Sequence, residues 1–154
     1  MTAFVQPPIT RLELGGGLAP APGHINIDII PEADIKYDLN LGLPVEIVEG
    51  NKNIEGIRCH QVIEHLDTII PLMNDCYEVM KEGAILEIST PLAGTTQFWQ
   101  DPTHKKGYVS ESFLYFAEDS PYAKEQEEYG IKARFTILES KASNGWNLEV
   151  KLMK

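Results

Sequence analysis

The chain has 154 residues, and 43% of them are apolar. That length and composition are typical of one globular domain with a substantial core, so we expect a single domain over residues 1–154. The net charge of −10, from 13 basic and 23 acidic residues, argues against DNA or RNA as a partner. A nucleic-acid binder needs a surface that neutralises phosphates.

The sequence shows no membrane segment and no secretory leader. Its N-terminus lacks a basic segment followed by an apolar core, and no apolar run approaches about 18 residues. We therefore expect a soluble, cytoplasmic protein without a membrane partner. Cys59 and Cys76 lie on apolar faces of a predicted strand and a predicted helix. That placement favours buried, reduced thiols over a disulfide or a metal site.

Strands dominate the first half of the chain, after an extended arm predicted over residues 1–9. They are predicted at residues 10–14, 25–29, 35–39, 57–61 and 84–90. Before the last strand, Asp67 or Thr68 is expected to cap a helix, because the apolar residues that follow recur at helical spacing. This apolar stripe comprises Ile69, Leu72, Met73, Cys76 and Met80. The segment Lys81-Glu82-Gly83 supplies the cation and the glycine that commonly end a helix.

The second half contains a long loop and a hairpin. The loop is predicted over residues 92–107, and we expect its Phe98 and Trp99 to pack in the core rather than to form a lid over a substrate. A short helix at residues 110–117 and an exposed acidic excursion at residues 118–132 follow. The dipeptide Asn144-Gly145 separates two alternating runs, residues 135–141 and 146–153, and predicts a β-hairpin.

The order of these elements predicts an α/β fold with a mainly parallel sheet and a C-terminal antiparallel hairpin. The first two gaps between strands are too short for a crossover helix, which takes about a dozen residues. The strands also alternate, as Leu12 and Leu14 do with Glu13, which is typical of strands with one solvated face. We therefore expect helices mostly on one face, and a second face that is polar or forms a homo-oligomer contact.

A glycine turn, Gly15-Gly16-Gly17, follows the first strand, and acids end the next two strands at Asp28 and Asp38. Glycine lets backbone N–H groups approach a ligand closely. Because no full helix follows the turn, we expect it to bind a ligand through its own amides. An acid at the end of the second strand is where such folds bind ribose hydroxyls. The pattern predicts a nucleotide-like cofactor across the first three strand ends.

This pattern resembles the class I S-adenosylmethionine-dependent methyltransferases, and it does so through several motifs in order. The similar stretches are Leu-Glu-Leu-Gly-Gly-Gly at residues 12–17, Ile-Asn-Ile-Asp-Ile at 25–29, Tyr-Asp-Leu at 37–39, Gln-Val-Ile-Glu-His-Leu at 61–66 and Asp-Pro-Thr-His-Lys at 101–105. The resemblance is closest to the small bacterial and phage type related to the methyltransferase-11 group. It implies a reduced Rossmann-like methyltransferase fold, S-adenosyl-L-methionine as cofactor, and methyl transfer to a small-molecule, sugar or lipid acceptor.

The resemblance also implies roles for individual residues at the cofactor. Gly15 and Gly17 would line its methionine portion, with Gly16 in the same cofactor-binding turn and Glu13 beneath it. Asp28 would accept hydrogen bonds from the ribose hydroxyls, for which a carboxylate offers two acceptor oxygens. Asp38 and Leu39 would contact the adenine.

Further residues would serve the transfer itself. His60 and Gln61 would face the sulfonium and the substrate. An acceptor that must lose a proton needs a base, and His104, Asp101 or His60 would supply it.

Other interpretations remain open at this point. The stripped architecture also fits a catalytically silent S-adenosylmethionine-binding or regulatory module. A metal-dependent enzyme would use His60, His65, Asp101 and His104, but HxH and HExxH spacings are absent, so we expect no metal. A nicotinamide enzyme ranks last, because the second strand follows the glycines too soon for a dinucleotide-binding helix. Glu64-His65 is either a helix-entry pair or part of a site.

Overall fold

The computed structural model describes residues 8–50 and 52–154, so the predicted N-terminal arm lies almost entirely outside the described part. The strands are β1 (Arg11–Leu14), β2 (Ile25–Asp28), β3 (Ile35–Lys36), β4 (Ile54–His60), β5 (Met80–Pro91), β6 (Thr136–Ser143) and β7 (Asn147–Met153). They form a seven-stranded sheet in the order β3-β2-β1-β4-β5-β7-β6. The first five strands pair in parallel, and β7 and β6 add an antiparallel edge. The predicted fold class is confirmed.

The helices are short and are placed unevenly along the chain. They are α1 (Val45–Gly50), α2 (Ile70–Val79), α3 (Thr96–Trp99) and α4 (Ala123–Glu128), with 3₁₀ helices at Leu39–Leu41, Ile63–His65 and Ser110–Phe116. Residues 15–24 and 29–34, which join β1 to β2 and β2 to β3, contain no helix, as expected. The sequence analysis did not predict α1. In the described ranges, no helix has the length and apolarity needed to cross a bilayer.

The two faces of the sheet differ in chemistry. The register places Leu14, Cys59, Ile88 and Val150 in one row across β1, β4, β5 and β7, and all of them are buried. Residues of α1, α2 and the 3₁₀ helix Ser110–Phe116 belong to the same buried cluster. The opposite face carries polar side chains, so the helices lie mostly on one face, as predicted. The contribution of the polar face to a homo-oligomer stays a prediction.

The boundary between α2 and β5 differs from the prediction. The helix ends at Val79, and Met80, expected as its last apolar residue, begins β5. Two features hold this segment extended: Met80 pairs with Ile54 of β4, and the Gly83 N–H donates to the Lys154 carbonyl at 2.9 Å. Tertiary pairing therefore overrides the local signal for a helix end.

The C-terminal hairpin forms where the sequence predicts it. Asn144 and Gly145 have φ angles of 55° and 74°, both in the left-handed region that Asn and Gly adopt more readily than other residues. Ser143 pairs with Asn147, so the loop comprises the three residues 144–146. In the long loop, Phe98 is buried as predicted, whereas Trp99 is 73% exposed. The expectation of a core role is therefore wrong for Trp99. In the excursion after residue 117, α4 buries Gln126, whose amide donates to the Ala117 carbonyl at 2.9 Å.

The buried cysteines give a simple test of this fold. Cys59 and Cys76 are free and buried, and burial raises the pKa of both thiols above the ordinary value. Because the thiolate is the reactive form, we expect neither cysteine to react with a disulfide reagent at pH 8 in the folded protein. Both should react after denaturation. Rapid labelling of either thiol under native conditions would contradict the packing of α2 against β4.

Candidate functional site

A cavity of about 410 Å³ lies beyond the carboxyl ends of β1, β2 and β4. This volume suits a small-molecule ligand. Its lining includes five residues that were predicted to bind the cofactor: Gly15, Asp28, Asp38, Leu39 and Gln61. The remaining lining residues, which were not among the predicted cofactor residues, are Ile29, Tyr37, Asn40, Val62, His65, Leu66 and Lys105.

The amides of the glycine turn are used inside the protein. The N–H of Gly15 donates to the Ile27 carbonyl at 2.8 Å. The N–H of Gly16 donates to Asn26 Oδ1, and that of Gly17 to Asp28 Oδ2, both at 2.9 Å. The expectation that the turn binds a ligand through its own amides is therefore wrong. Gly16 and Gly17 do not line the cavity, and they fix the turn against β2 instead.

Gly15 is required by its conformation and by the space beside it. Its φ is 65°, and a Cβ added there would lie 2.4 Å from Cγ2 of Val62. Real Cβ atoms do not approach other heavy atoms so closely, and Val62 has a stiff, β-branched side chain. The glycine therefore lets the turn pack directly on the segment that follows β4.

Asp28 has the geometry of a ligand-binding acid. Its Oδ2 accepts the Gly17 N–H at 2.9 Å, and its Oδ1 accepts the Ile29 N–H at 2.6 Å. Each carboxylate oxygen has two lone pairs, so both oxygens keep capacity for a ligand hydroxyl. The backbone amides hold this carboxylate at the cavity wall.

Asp38 reaches the cavity from a different element than expected. It caps the 3₁₀ helix Leu39–Leu41, because β3 already ends at Lys36. Its Oδ1 accepts both the backbone N–H and the side-chain amide of Asn40, each at 3.0 Å. The cap places Asp38 and Leu39 side by side in the cavity wall.

Glu13 lies beneath the turn, outside the cavity. It is 5% exposed, its Oε2 accepts the Ala21 N–H at 3.4 Å, and the same oxygen lies 3.6 Å from Arg58 Nη1. This placement agrees with the position implied by the resemblance. Glu13 supports the turn rather than contacting a ligand in the cavity.

His60 lies on the polar face of the sheet and does not line the cavity with Gly15 and Asp28. Its Nδ1 accepts an N–H of Arg58 at 3.3 Å, and it lines a separate depression with Glu87, Glu139 and Glu149. Adjacent residues of a strand face opposite sides. Cys59 faces the buried side of the sheet, so His60, the last residue of β4, faces the other side. The structure therefore separates His60 from the other predicted cofactor residues.

Gln61 turns the chain from β4 into the cavity. Its φ is 56°, uncommon for a residue other than glycine, and its N–H donates to the Ser89 carbonyl at 2.7 Å. The side-chain amide donates to Asn147 Oδ1 at 3.1 Å. Bonds from two neighbouring strands thus hold this residue at the cavity edge.

The predicted bases Asp101 and His104 lie behind the cavity wall. Thr103 donates its hydroxyl and its N–H to Asp101 Oδ1, at 2.7 and 2.8 Å. These bonds hold the pKa of the Asp101 carboxyl below its ordinary value. The His104 ring lies 4.8 Å from that of His65, centroid to centroid. Of these residues, His65 alone lines the cavity.

Glu64, for which the sequence left a helix-entry role and a site role open, is a buried carboxylate. Its side chain is 1% exposed, and its Oε2 accepts the Thr90 hydroxyl at 2.9 Å. Oε1 and the Tyr108 hydroxyl have no hydrogen-bond partner within residues 8–50 and 52–154. Burial, followed by the charge of Glu64, raises the pKa of Tyr108 to about 12. The feature of the sequence that could have indicated Glu64 is an acid and a histidine inside the apolar run of residues 62–66.

The likeness of this chain to known proteins lies in its fold. No family model matches the sequence, and no curated protein matches it. Solved structures do match. A methyltransferase dependent on S-adenosylmethionine from Archaeoglobus fulgidus is 17% identical, with a TM-score of 0.57 over 95% of this chain and 86% of that one. One from Mesorhizobium loti is 10% identical, with a TM-score of 0.59 over 95% and 91%.

A third match carries a ligand. The N-methyltransferase NodS from Bradyrhizobium japonicum, in complex with S-adenosyl-L-homocysteine, is 14% identical, with a TM-score of 0.56 over 95% of this chain and 78% of that one. The chain has the Rossmann-like methyltransferase fold.

The position of the cavity agrees with the general behaviour of this fold. In open α/β sheets, ligands bind beyond the carboxyl ends of the strands at the point where the strand order reverses. In the methyltransferase fold of this chain, that point lies between β1 and β4. Gly15 follows β1 and Gln61 follows β4, and both line the cavity.

Proposed function

We propose that the protein is an S-adenosylmethionine-dependent methyltransferase whose cofactor binds in the cavity at β1, β2 and β4. The observation that carries the proposal is the meeting of Gly15, Asp28 and Asp38 in one cavity at the switch point of a methyltransferase fold. The resemblance of the sequence and the likeness to solved methyltransferases support the same assignment.

The cavity provides a partner for each part of the cofactor. Asp28 accepts the ribose hydroxyls, and the wall made by Tyr37, Asp38 and Leu39 holds the adenine. The methionine carboxylate binds to Lys105 rather than to the glycine amides. Lys105 lines the cavity, and its ammonium donates to Asp67 Oδ1 at 2.9 Å, an exposed ion pair that a bound carboxylate would have to replace. A cation at this point replaces the helix dipole that is missing after the turn.

Methyl transfer depends mainly on the alignment of the acceptor with the cofactor's methyl group. The sulfonium is a strong electrophile, and an aligned acceptor in a desolvated site supplies much of the rate acceleration. The loop over residues 92–107 brings Asp101 and His104 next to His65, so a proton from the acceptor leaves on this side. His60, on the polar face, takes no part in this scheme.

The acceptor that we propose is a small molecule, or a sugar or lipid intermediate. The net charge of −10 disfavours a nucleic acid. We further propose a cytoplasmic location, and a homo-oligomer formed through the polar sheet face. The elution volume and light scattering of the purified protein test the oligomer.

A transfer assay with methyl-labelled S-adenosylmethionine separates the proposed enzyme from a silent binding module. We expect label to pass to a member of an acceptor panel, and S-adenosylhomocysteine to accumulate with the wild-type chain. Cofactor binding without transfer to any member of the panel would favour the regulatory module. The absence of both binding and transfer would overturn the proposal.

A further inference from the structure

The loop over residues 92–107 and the segment after β4 meet in a cluster of potential metal ligands. Glu64, His65 and His104 each offer one ligand atom, and these atoms lie within 4.8 Å of one another. The backbone keeps the two segments together, because the N–H groups of Lys105 and Lys106 donate to the Glu64 carbonyl at 2.7 and 3.2 Å. These bonds fix the loop beside Glu64 and His65.

The hydrogen bonds of both histidines leave the same ring nitrogen available. The Nδ1 of His104 lies 2.6 Å from the Phe98 carbonyl, which can only accept, so Nδ1 carries the proton. The Thr103 hydroxyl donates to Asp101 at 2.7 Å and so accepts from Nδ1 of His65 at 3.0 Å. In metal sites, a ligating imidazole typically donates its other N–H to a carbonyl or a similar acceptor. Nε2 of each ring is then free to bind a metal.

The Glu64 oxygen that has no hydrogen-bond partner also indicates a metal ion. Oε1 is buried and has no hydrogen-bond partner among the described residues, and it lies 3.9 Å from Nε2 of His65. A buried carboxylate needs a compensating charge. The carboxylate of Asp101, with Oδ2 3.6 Å from Nε2 of His104, adds a second negative charge beside the cluster. The two carboxylates together carry the charge that a divalent cation would balance.

We propose that Glu64, His65 and His104 bind one divalent transition-metal ion such as Zn²⁺. Two imidazoles and one carboxylate form a donor set that suits Zn²⁺ and similar transition-metal ions better than it suits Mg²⁺ or Ca²⁺. Two ligands of tetrahedral zinc lie about 3.4 Å apart, so the cluster contracts slightly on binding. The His65 side chain is 37% exposed and can move.

The ion would lie beside the cofactor cavity, because His65 lines that cavity. Three protein ligands leave a fourth coordination position open for water or another ligand. The site shares His65 and His104 with the proton route proposed above, and with a metal bound these rings would no longer act as bases. It does not rest on the binding of the cofactor, because Asp28 and Asp38 are separate from it. The two proposals can therefore fail separately.

Metal binding can be measured without cofactor or acceptor. The full chain, free of any histidine tag, is stripped with chelator and titrated with Zn²⁺ against a competing indicator, and bound zinc is counted after gel filtration. We expect one Zn²⁺ per chain and a higher melting temperature with the metal. With Co²⁺, we expect visible absorption bands of a low-symmetry site.

Single variants identify the ligands. We expect His65→Ala and Glu64→Gln each to weaken Zn²⁺ binding at least tenfold and to lose the thermal shift. The matched control is His24→Ala, because His24 lies apart from the cluster, near the Pro22 carbonyl. That variant should bind like wild type. The proposal would be overturned if wild type bound Zn²⁺ no tighter than the folded double variant His65→Ala/His104→Ala, or if His24→Ala weakened binding equally.

Discussion

Replacing Asp28 with alanine is expected to weaken binding of S-adenosylhomocysteine by roughly 10- to 100-fold. Its carboxylate would accept the ribose hydroxyls, and each hydrogen bond to a charged group contributes about 1.5–3 kcal/mol. The variant also leaves the Gly17 N–H without the acceptor that it has at 2.9 Å. We therefore expect a modest loss of stability as well. Calorimetric titration gives the affinity, and urea denaturation gives the free energy of unfolding.

The chain offers a matched control for this loss. The Oδ2 atom of Asp34 accepts the N–H of Asn26 at 2.8 Å, but Asp34 does not line the cavity. Asp34→Ala should therefore lower the free energy of unfolding and leave the affinity for S-adenosylhomocysteine unchanged. Equal affinities for the wild type and Asp28→Ala would show that the carboxylate does not contact the ligand.

The second large effect is expected at Gly15. In Gly15→Ala the new Cβ would meet Cγ2 of Val62 at 2.4 Å, in a backbone with a φ of 65°. The left-handed conformation costs a residue with a Cβ about 1–2 kcal/mol, and overpacking adds about 1–3 kcal/mol. We expect the free energy of unfolding to fall by about 2–5 kcal/mol, as measured by urea denaturation.

A substitution at Gly17 distinguishes the cost of the left-handed conformation from the cost of overpacking. Its φ is 59°, and nothing lies within 4 Å of an added Cβ, so Gly17→Ala should show the conformational cost alone. Shortening Val62 in the double variant Gly15→Ala/Val62→Ala should reduce the extra cost. If Gly15→Ala and Gly17→Ala lost the same stability, close packing of the turn on Val62 would not hold.

Much of the fold could be predicted from local patterns. The alternation of Leu12 and Leu14 with Glu13 reports the two faces of a strand, and the dipeptide Asn144-Gly145 fixes a turn by its own backbone preference. The short gaps between the first strands exclude crossover helices by length alone. These signals depend on neighbours in the sequence, and the structure agrees with them.

The misplaced details depend on contacts between distant segments. Met80 joins β5 because Ile54 pairs with it, and a helix signal in the sequence cannot contain that partner. The glycine amides were expected to face a ligand, but Asn26 and Asp28 accept two of them. That geometry depends on how β2 lies beside the turn.

Some residues of the candidate site could be predicted from the sequence, and others could not. Asp28 and Asp38 could be predicted because motif order places Asp28 at the end of the second strand and Asp38 shortly after the third. The meeting of Glu64 with His104 could not, since 39 residues of intervening chain must first fold and bring the loop back to the end of β4. Only the three-dimensional arrangement shows that the Glu64 carboxylate is buried with one oxygen unpartnered.

The central claim is that the cavity at β1, β2 and β4 binds S-adenosylmethionine. Its most direct test is a calorimetric titration of the wild-type chain with S-adenosylhomocysteine, which binds like the cofactor and cannot be consumed. We predict a saturable isotherm with a single site per chain. No binding at ligand concentrations far above that of the folded protein would contradict the account.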